Sequence, residues 1–150
     1  MSNNTDLSKE TSDTNEIQVL KFSIGSEIFC VDINYISEIV ESKDTDTTRI
    51  PNSSPEVNGV MDLRGKTTTI LNPKIIFNVE QTDDLESNFV IVFNEESNTS
   101  KGWEVDEVYN VTTISTEDID TNITKDQDNV NGIIQLDDSF VIFVEPKHLN

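Results

Sequence analysis

The sequence has one cysteine and one histidine, and few positive charges: 10 Lys and Arg against 29 Asp and Glu. Each shortage excludes something. One cysteine forms no intrachain disulfide, and with one histidine it cannot make a typical zinc site. A catalytic thiol at Cys30 would want a neighbouring base, yet His148 lies at the far end of the chain. Cys30 sits in the apolar run Ile28-Phe29-Cys30-Val31 and reads as a buried structural thiol. No apolar stretch is long enough for a membrane helix. The start, through Glu16, lacks the basic and apolar segments of a secretion signal and reads as a solvated, disordered acidic tail over 1–16. These features point to the cytoplasm. No phosphate-cradling glycine loop and no nucleophile elbow occurs. Acidic pairs such as Asp83-Asp84 and Asp137-Asp138 fall in turns, where solvated carboxylates are the ordinary outcome. Asp126-Gln127-Asp128-Asn129 lacks the glycine and terminal glutamate of a calcium loop.

The formal net charge is -19. Asp6, Glu10, Asp13 and Glu16 against Lys9 give the tail -3, so residues 17–150 carry -16. Such a surface repels phosphate backbones and anionic membranes, which argues against nucleic-acid binding and membrane insertion. Scarce lysine with abundant Asp, Glu, Asn and Thr matches a salt-adapted cytoplasmic protein; an ordinary acidic protein has the same composition.

What is present is β-forming. Short clusters rich in Val, Ile and Phe predict strands over 17–24, 27–33, 38–42, 57–63, 67–72, 88–94, 102–108, 110–114, 130–136 and 139–144. Gly25-Ser26 is a two-residue hairpin signal. Short helices are expected at 33–37, 73–77 and 145–149. The sequence also repeats. Val57-Asn58-Gly59-Val60-Met61-Asp62-Leu63 recurs as Val130-Asn131-Gly132-Ile133-Ile134-Gln135-Leu136, and Asn72-Pro73-Lys74 as Glu145-Pro146-Lys147. Val31-Asp32 also matches Val105-Asp106. Three matches in one order predict two similar β subdomains, about 17–80 and 88–148. Each is short of core alone, so they are expected to share an apolar interface.

One segment asks for a function. Arg64 follows Leu63 and precedes Gly65-Lys66 at a turn between two strand-like runs. An arginine fork recognises a carboxylate through two bonds. It either ties down its own loop, through Glu38 or a carbonyl, or serves a contact; the two are compatible. The second repeat has Asp137-Asp138 in place of Arg64-Gly65, so the scaffold is duplicated and the charge is not.

The chain resembles the CheW family of chemotaxis coupling proteins from residue 17 to about 149. The resemblance runs through Val19 to Phe29, Val31-Asp32-Ile33, Ile36-Ser37-Glu38-Ile39, Arg49-Ile50-Pro51 and Asp62-Leu63-Arg64-Gly65, the last similar to the family's Asn-Leu-Arg-Gly signature. Val90-Ile91-Val92, Gly102, Val105 to Val108 and Gly132 continue it. Asp62 departs from the usual asparagine, and Thr67-Thr68-Thr69 from the usual apolar strand. The resemblance implies an all-β fold of two SH3-like five-stranded β-barrel subdomains sharing a hydrophobic core. It implies no catalysis and no cofactor. It further implies a scaffold binding two partners, the regulatory domain of the histidine kinase CheA and the cytoplasmic tip of chemoreceptors. Carried over by position, the partner-binding candidates are Ile36, Glu38, Gly59, Leu63, Arg64, Phe89 and Gly102. The alternative is a free-standing copy of the kinase's own regulatory domain, or a related adaptor, serving a pili or gene-regulation two-component pathway.

Overall fold

The computed structural model describes residues 15–79, 87–94, 100–122 and 130–146. Among the described residues ten strands carry the fold: β1 (Glu16–Ile24), β2 (Glu27–Asp32), β3 (Ile36–Glu41), β4 (Val57–Leu63) and β5 (Lys66–Leu71), then β6 (Phe89–Phe93), β7 (Ser100–Val105), β8 (Glu107–Ser115), β9 (Val130–Leu136) and β10 (Ser139–Val144). One helical turn, α1 (Pro73–Ile76), is capped by the Asn72 side chain, with proline at its first position where no N–H is missed. Two five-stranded sheets form, in the orders β9-β10-β2-β1-β8 and β3-β6-β7-β5-β4.

The repeat is visible in the ladders. Val57 faces Leu71 in one hairpin and Val130 faces Val144 in the other, each with a register shift at the following glycine. Leu71 then pairs in parallel with Trp103, and Val144 with Val31. Val31 is therefore the counterpart of Trp103, two positions from the Val105 that sequence matching proposes. Pairing by ladder also equates Asp32 with Glu104 and Leu20 with Ile91.

The sheets do not divide the chain at its middle, as the halves 17–80 and 88–148 would. One sheet takes β1 and β2 together with β8 to β10; the other takes β3 to β7. The chain crosses from sheet to sheet at Ile33–Tyr35 and again at Asp106. The second crossing breaks the predicted strand 102–108 into β7 and β8, because the Asp106 N–H donates to the Ser23 carbonyl and its carboxylate accepts from Gly25 N. The alternation of Trp103 and Val105 slips at Asp106-Glu107, where two polar residues stand together, and that slip marks the break. Elsewhere, β3 starts at Ile36 because the expected helix over 33–37 is a single 3-10 turn, and β1 starts at Glu16, inside the expected tail. Glu145 and Pro146 are not helical; the rest of the helix expected over 145–149 lies outside the described residues.

Three apolar clusters hold the molecule. The largest lies between the sheets and draws Leu20, Phe22, Phe29 and Val31 from one and Leu71, Ile91, Phe93 and Trp103 from the other. Phe22, Phe77 and Phe93 ring Trp103, with Phe77 and Phe93 meeting it edge-on at 5.3 and 4.8 Å. Each sheet also curls over a core of its own: Val19, Cys30, Ile114, Ile134 and Val141 in the first, Met61, Ile70, Val90 and Val92 in the second. A strand in the middle of a sheet thus has apolar side chains on both faces, which is why β6 reads Phe-Val-Ile-Val-Phe without alternation. The shared core is as expected. The barrels are looser, since neither sheet closes. A single bridge on each side, Thr48 to Val60 and Asp120 to Ile133, brings the chain back toward β4 and β9.

Candidate functional site

The Leu63–Lys66 turn has both central residues at positive φ, Arg64 at 56° and Gly65 at 83°. That two-residue geometry matches the right-handed twist of the flanking strands. It lifts Arg64 above the open end of the second sheet's own core, where β3 passes. Arg64 Nη1 donates to both oxygens of Glu38, at 2.5 and 2.6 Å, so the expected ion pair is formed. The arginine side chain is 74% exposed and the glutamate 25%, so the pair lies at a rim with the carboxylate tucked inward. Glu38, Leu63, Arg64, Lys66, Val92 and Ser100 line an open depression of about 270 Å³. Beneath them the Thr68 and Ser100 hydroxyls bond at 2.5 Å, both buried. The threonine that departs from the family pattern thus has its polar group satisfied inside.

Not all candidates meet here. Glu38, Leu63 and Arg64 are brought together, with half-buried Ile36 at the start of β3 packed on the shared core. Phe89 begins β6, four residues from Phe93, roughly 13 Å along the strand. It lines a different depression with Glu41, Ser42, Lys43, Asn88 and Glu107. Gly59 and Gly102 are buried. A Cβ on Gly59 would stand 2.3 Å from the Thr48 carbonyl oxygen, and its φ of 155° suits glycine alone. A Cβ on Gly102 would meet Val90 Cγ1 at 2.8 Å. Both glycines serve close packing, and the Gly59 requirement recurs at Gly132 against Ile119 and Asp120. Recurrence in the repeat was the available sign that this glycine belongs to the scaffold.

Sequence reasoning missed Ser100 in the rim, since β7 reaches the depression through its parallel pairing with β5. It also missed a polar group near the second crossing. Asp106 and Lys74 approach to 3.9 Å with side chains 6% and 11% exposed. Asn58 donates to Glu104, whose carboxyl burial pushes above its ordinary value while the Asn58 bond and the Lys74 charge oppose the shift. At the first crossing Tyr35 donates to Glu145 at 2.7 Å. That bond, with burial, pushes the phenol up to about 12. Burial pushes the Cys30 thiol up to about 12 against the Lys21 charge, so it is protonated at neutral pH and a poor nucleophile. Among the described residues no group of three or more His, Cys, Asp or Glu could hold a metal ion, and no helix is long and apolar enough to cross a membrane.

The chain is 25% identical over 132 residues to the chemotaxis protein CheW of Thermotoga maritima, covering 87% of this chain and 85% of that one. It is 27% identical over 141 residues to the chemotaxis protein CheW of Treponema pallidum, covering 87% and 79%. The crystal structure of the scaffolding protein TtCheW from Thermoanaerobacter tengcongensis superposes with a TM-score of 0.74 at 27% identity, over 85% of this chain and 88% of that one. Residues 18–150 match the CheW-like domain, and the chain belongs to that family.

Proposed function

We propose that this chain is a chemotaxis adaptor, a scaffold that couples chemoreceptors to the histidine kinase CheA. The observation that carries this reading is the match of residues 18–150 to the CheW-like domain, together with the two-sheet likeness to a scaffolding protein. The finer partners are the regulatory domain of the kinase and the cytoplasmic tip of the receptors, met in the cytoplasm at membrane-associated arrays. The Arg64–Glu38 rim, with Leu63 and Ile36 beside it, is the proposed contact surface. A rigid scaffold with a charged rim next to apolar side chains suits a modest, reversible interface. Ile39, 40% exposed on the same strand as Glu38, offers such a side chain. The role is non-catalytic, and a buried Cys30 thiol protonated at neutral pH fits it. Signal then passes by shifting the population of assembled states.

Reconstitution tests the reading. Kinase and receptor membranes are mixed with and without the chain, and phosphate transfer is measured. The expected result is receptor-controlled kinase activity that requires the chain. Activity and control unchanged by its addition would contradict the assignment.

A further inference from the structure

The turns at Leu63–Lys66 and Leu136–Ser139 stand over the same depression, built twice, and the ladders equate the two linings. Val144 corresponds to Leu71 and Val31 to Trp103, so Val141 occupies the place of Thr68 and Ile28 the place of Ser100. Ser139 occupies the place of Lys66. One floor is therefore apolar, while the other holds two hydroxyls below a lysine. Burying hydroxyls where valine and isoleucine also fit costs desolvation, so the polar floor calls for a reason.

The hydroxyl pair keeps a proton in reserve. Thr68 Oγ1 and Ser100 Oγ lie 2.5 Å apart, and either can donate. With Ser100 donating, the Thr68 proton goes to the Lys66 carbonyl at 3.4 Å, a long and weak bond. With Thr68 donating, the Ser100 proton is available to another acceptor. Thr68 is fully buried, whereas Ser100 is 3% exposed and lines the depression. The charges add to this. Arg64 is bonded to Glu38, but Lys66 has no ion pair among the described residues, in a chain of 29 acids against 10 bases. Leu63 and Val92 supply apolar walls.

We propose that this depression takes an acidic side chain of a partner protein. Its carboxylate accepts from Ser100 Oγ and pairs with Lys66, and its stem lies against Leu63 and Val92. Its arrival turns the hydroxyl pair over: Thr68 leaves the Lys66 carbonyl and donates to Ser100. The inference rests on the adaptor reading of the Arg64 rim and adds the chemistry of what docks there. The counterpart depression, with Ile28 and Val141 on its floor and no cation at Ser139, has no place for such a guest.

Co-sedimentation of the full chain with kinase and receptor membranes tests it. Ser100→Ala should weaken assembly about tenfold, the loss expected of one hydrogen bond to a charged group. Thr68→Val should leave assembly unchanged even where it lowers the melting temperature, because Ser100 can still donate to the guest. A merely structural pair would make these two variants alike, so equal losses would overturn the inference. Lys66→Gln should weaken assembly several-fold and Lys66→Arg, which keeps the charge, should not; full assembly by Lys66→Gln would overturn the acidic guest. Full assembly by Ser100→Ala, with Arg64→Glu still losing it, would overturn this inference and leave the rim reading standing. Full assembly by Arg64→Glu as well would overturn both.

Discussion

The two hairpin tips of the duplicated scaffold carry opposite charge on one backbone. Arg64 and Gly65 stand at φ 56° and 83°, Asp137 and Asp138 at 50° and 68°. Below Arg64 lies Glu38 on edge strand β3. The equivalent position on edge strand β8 is Asn110, because Ile39 and Val111 pair with the equivalent residues Ile91 and Leu20. The two depressions correspond as well: Leu63, Arg64 and Lys66 line one, and Leu136, Asp137 and Ser139 the other. Backbone geometry was therefore kept after duplication while the side chains at the tip were free to differ. What distinguishes the halves is chemistry at the rim, and there a contact specific to one half should be sought.

The comparison breaks first if the shared scaffold is not shared in energy. Gly59→Ala should cost about 3 kcal/mol, since it adds a left-handed strain to a backbone clash with Thr48. Gly132→Ala should cost about 2 kcal/mol, its nearest obstacle being the Ile119 methyl. Denaturant unfolding measures both, and a tolerated Gly59→Ala would remove that glycine from the scaffold.

Salt acts on the whole acidic surface. Residues 17–150 carry -16. At 1 M salt the screening length is about 3 Å, so the mutual repulsion fades. The melting temperature should rise clearly between about 0.1 and 2 M KCl. Equal values would count against salt adaptation.

The crossings differ in their pH response. Tyr35→Phe should cost about 1 kcal/mol through the lost bond to Glu145. The phenol's folded pKa is raised from 10.0 to about 12, so its contribution is complete below the lower value and is lost as pH rises through the upper one. Parent and variant should converge over that window in unfolding experiments.

Glu104 and its ladder counterpart Asp32 sharpen the comparison at smaller scale. The Glu104 carboxyl is raised by burial, so its ionised form weakens the fold above its folded pKa, and the deficit vanishes in acid. Glu104→Gln should therefore stabilise at neutral pH by less than about 1 kcal/mol, given its partial exposure, and by nothing below pH 4 or so. Asp32 caps Asn34 N, a task asparagine performs equally, and Asp32→Asn should change stability by less than about 0.5 kcal/mol.

Much of this was legible in the sequence because the physics was local. Strand positions follow from runs of Val, Ile and Phe, and the duplicated hairpins from the Val-Asn-Gly repeat; that Glu38 lies close to the Arg64 turn came from the family resemblance. What escaped was non-local. The alternation of Trp103 and Val105 slips at Asp106-Glu107, but that the chain there leaves one sheet for the other shows in the bonds of Asp106 to Ser23 and Gly25. Nor does β7 announce that Ser100 will reach the rim, because its neighbour β5 is joined to it through parallel pairing. Matching Val31-Asp32 to Val105-Asp106 picked similar letters, whereas the ladders align Val31 with Trp103.

A small effect on folding belongs to the residue with the largest expected effect on assembly. Arg64→Glu breaks an exposed pair worth about 0–1 kcal/mol, so the melting temperature should hardly move. At a partner interface it sets like charges together, and about tenfold weaker assembly with kinase and receptor corresponds to 1.4 kcal/mol. Co-sedimentation of the chain with receptor membranes and kinase measures this directly. The account predicts that Arg64→Glu loses assembly, that Glu38→Arg added to it restores part, and that Asp137→Arg changes nothing. Assembly by Arg64→Glu equal to that of the unmodified chain would contradict it.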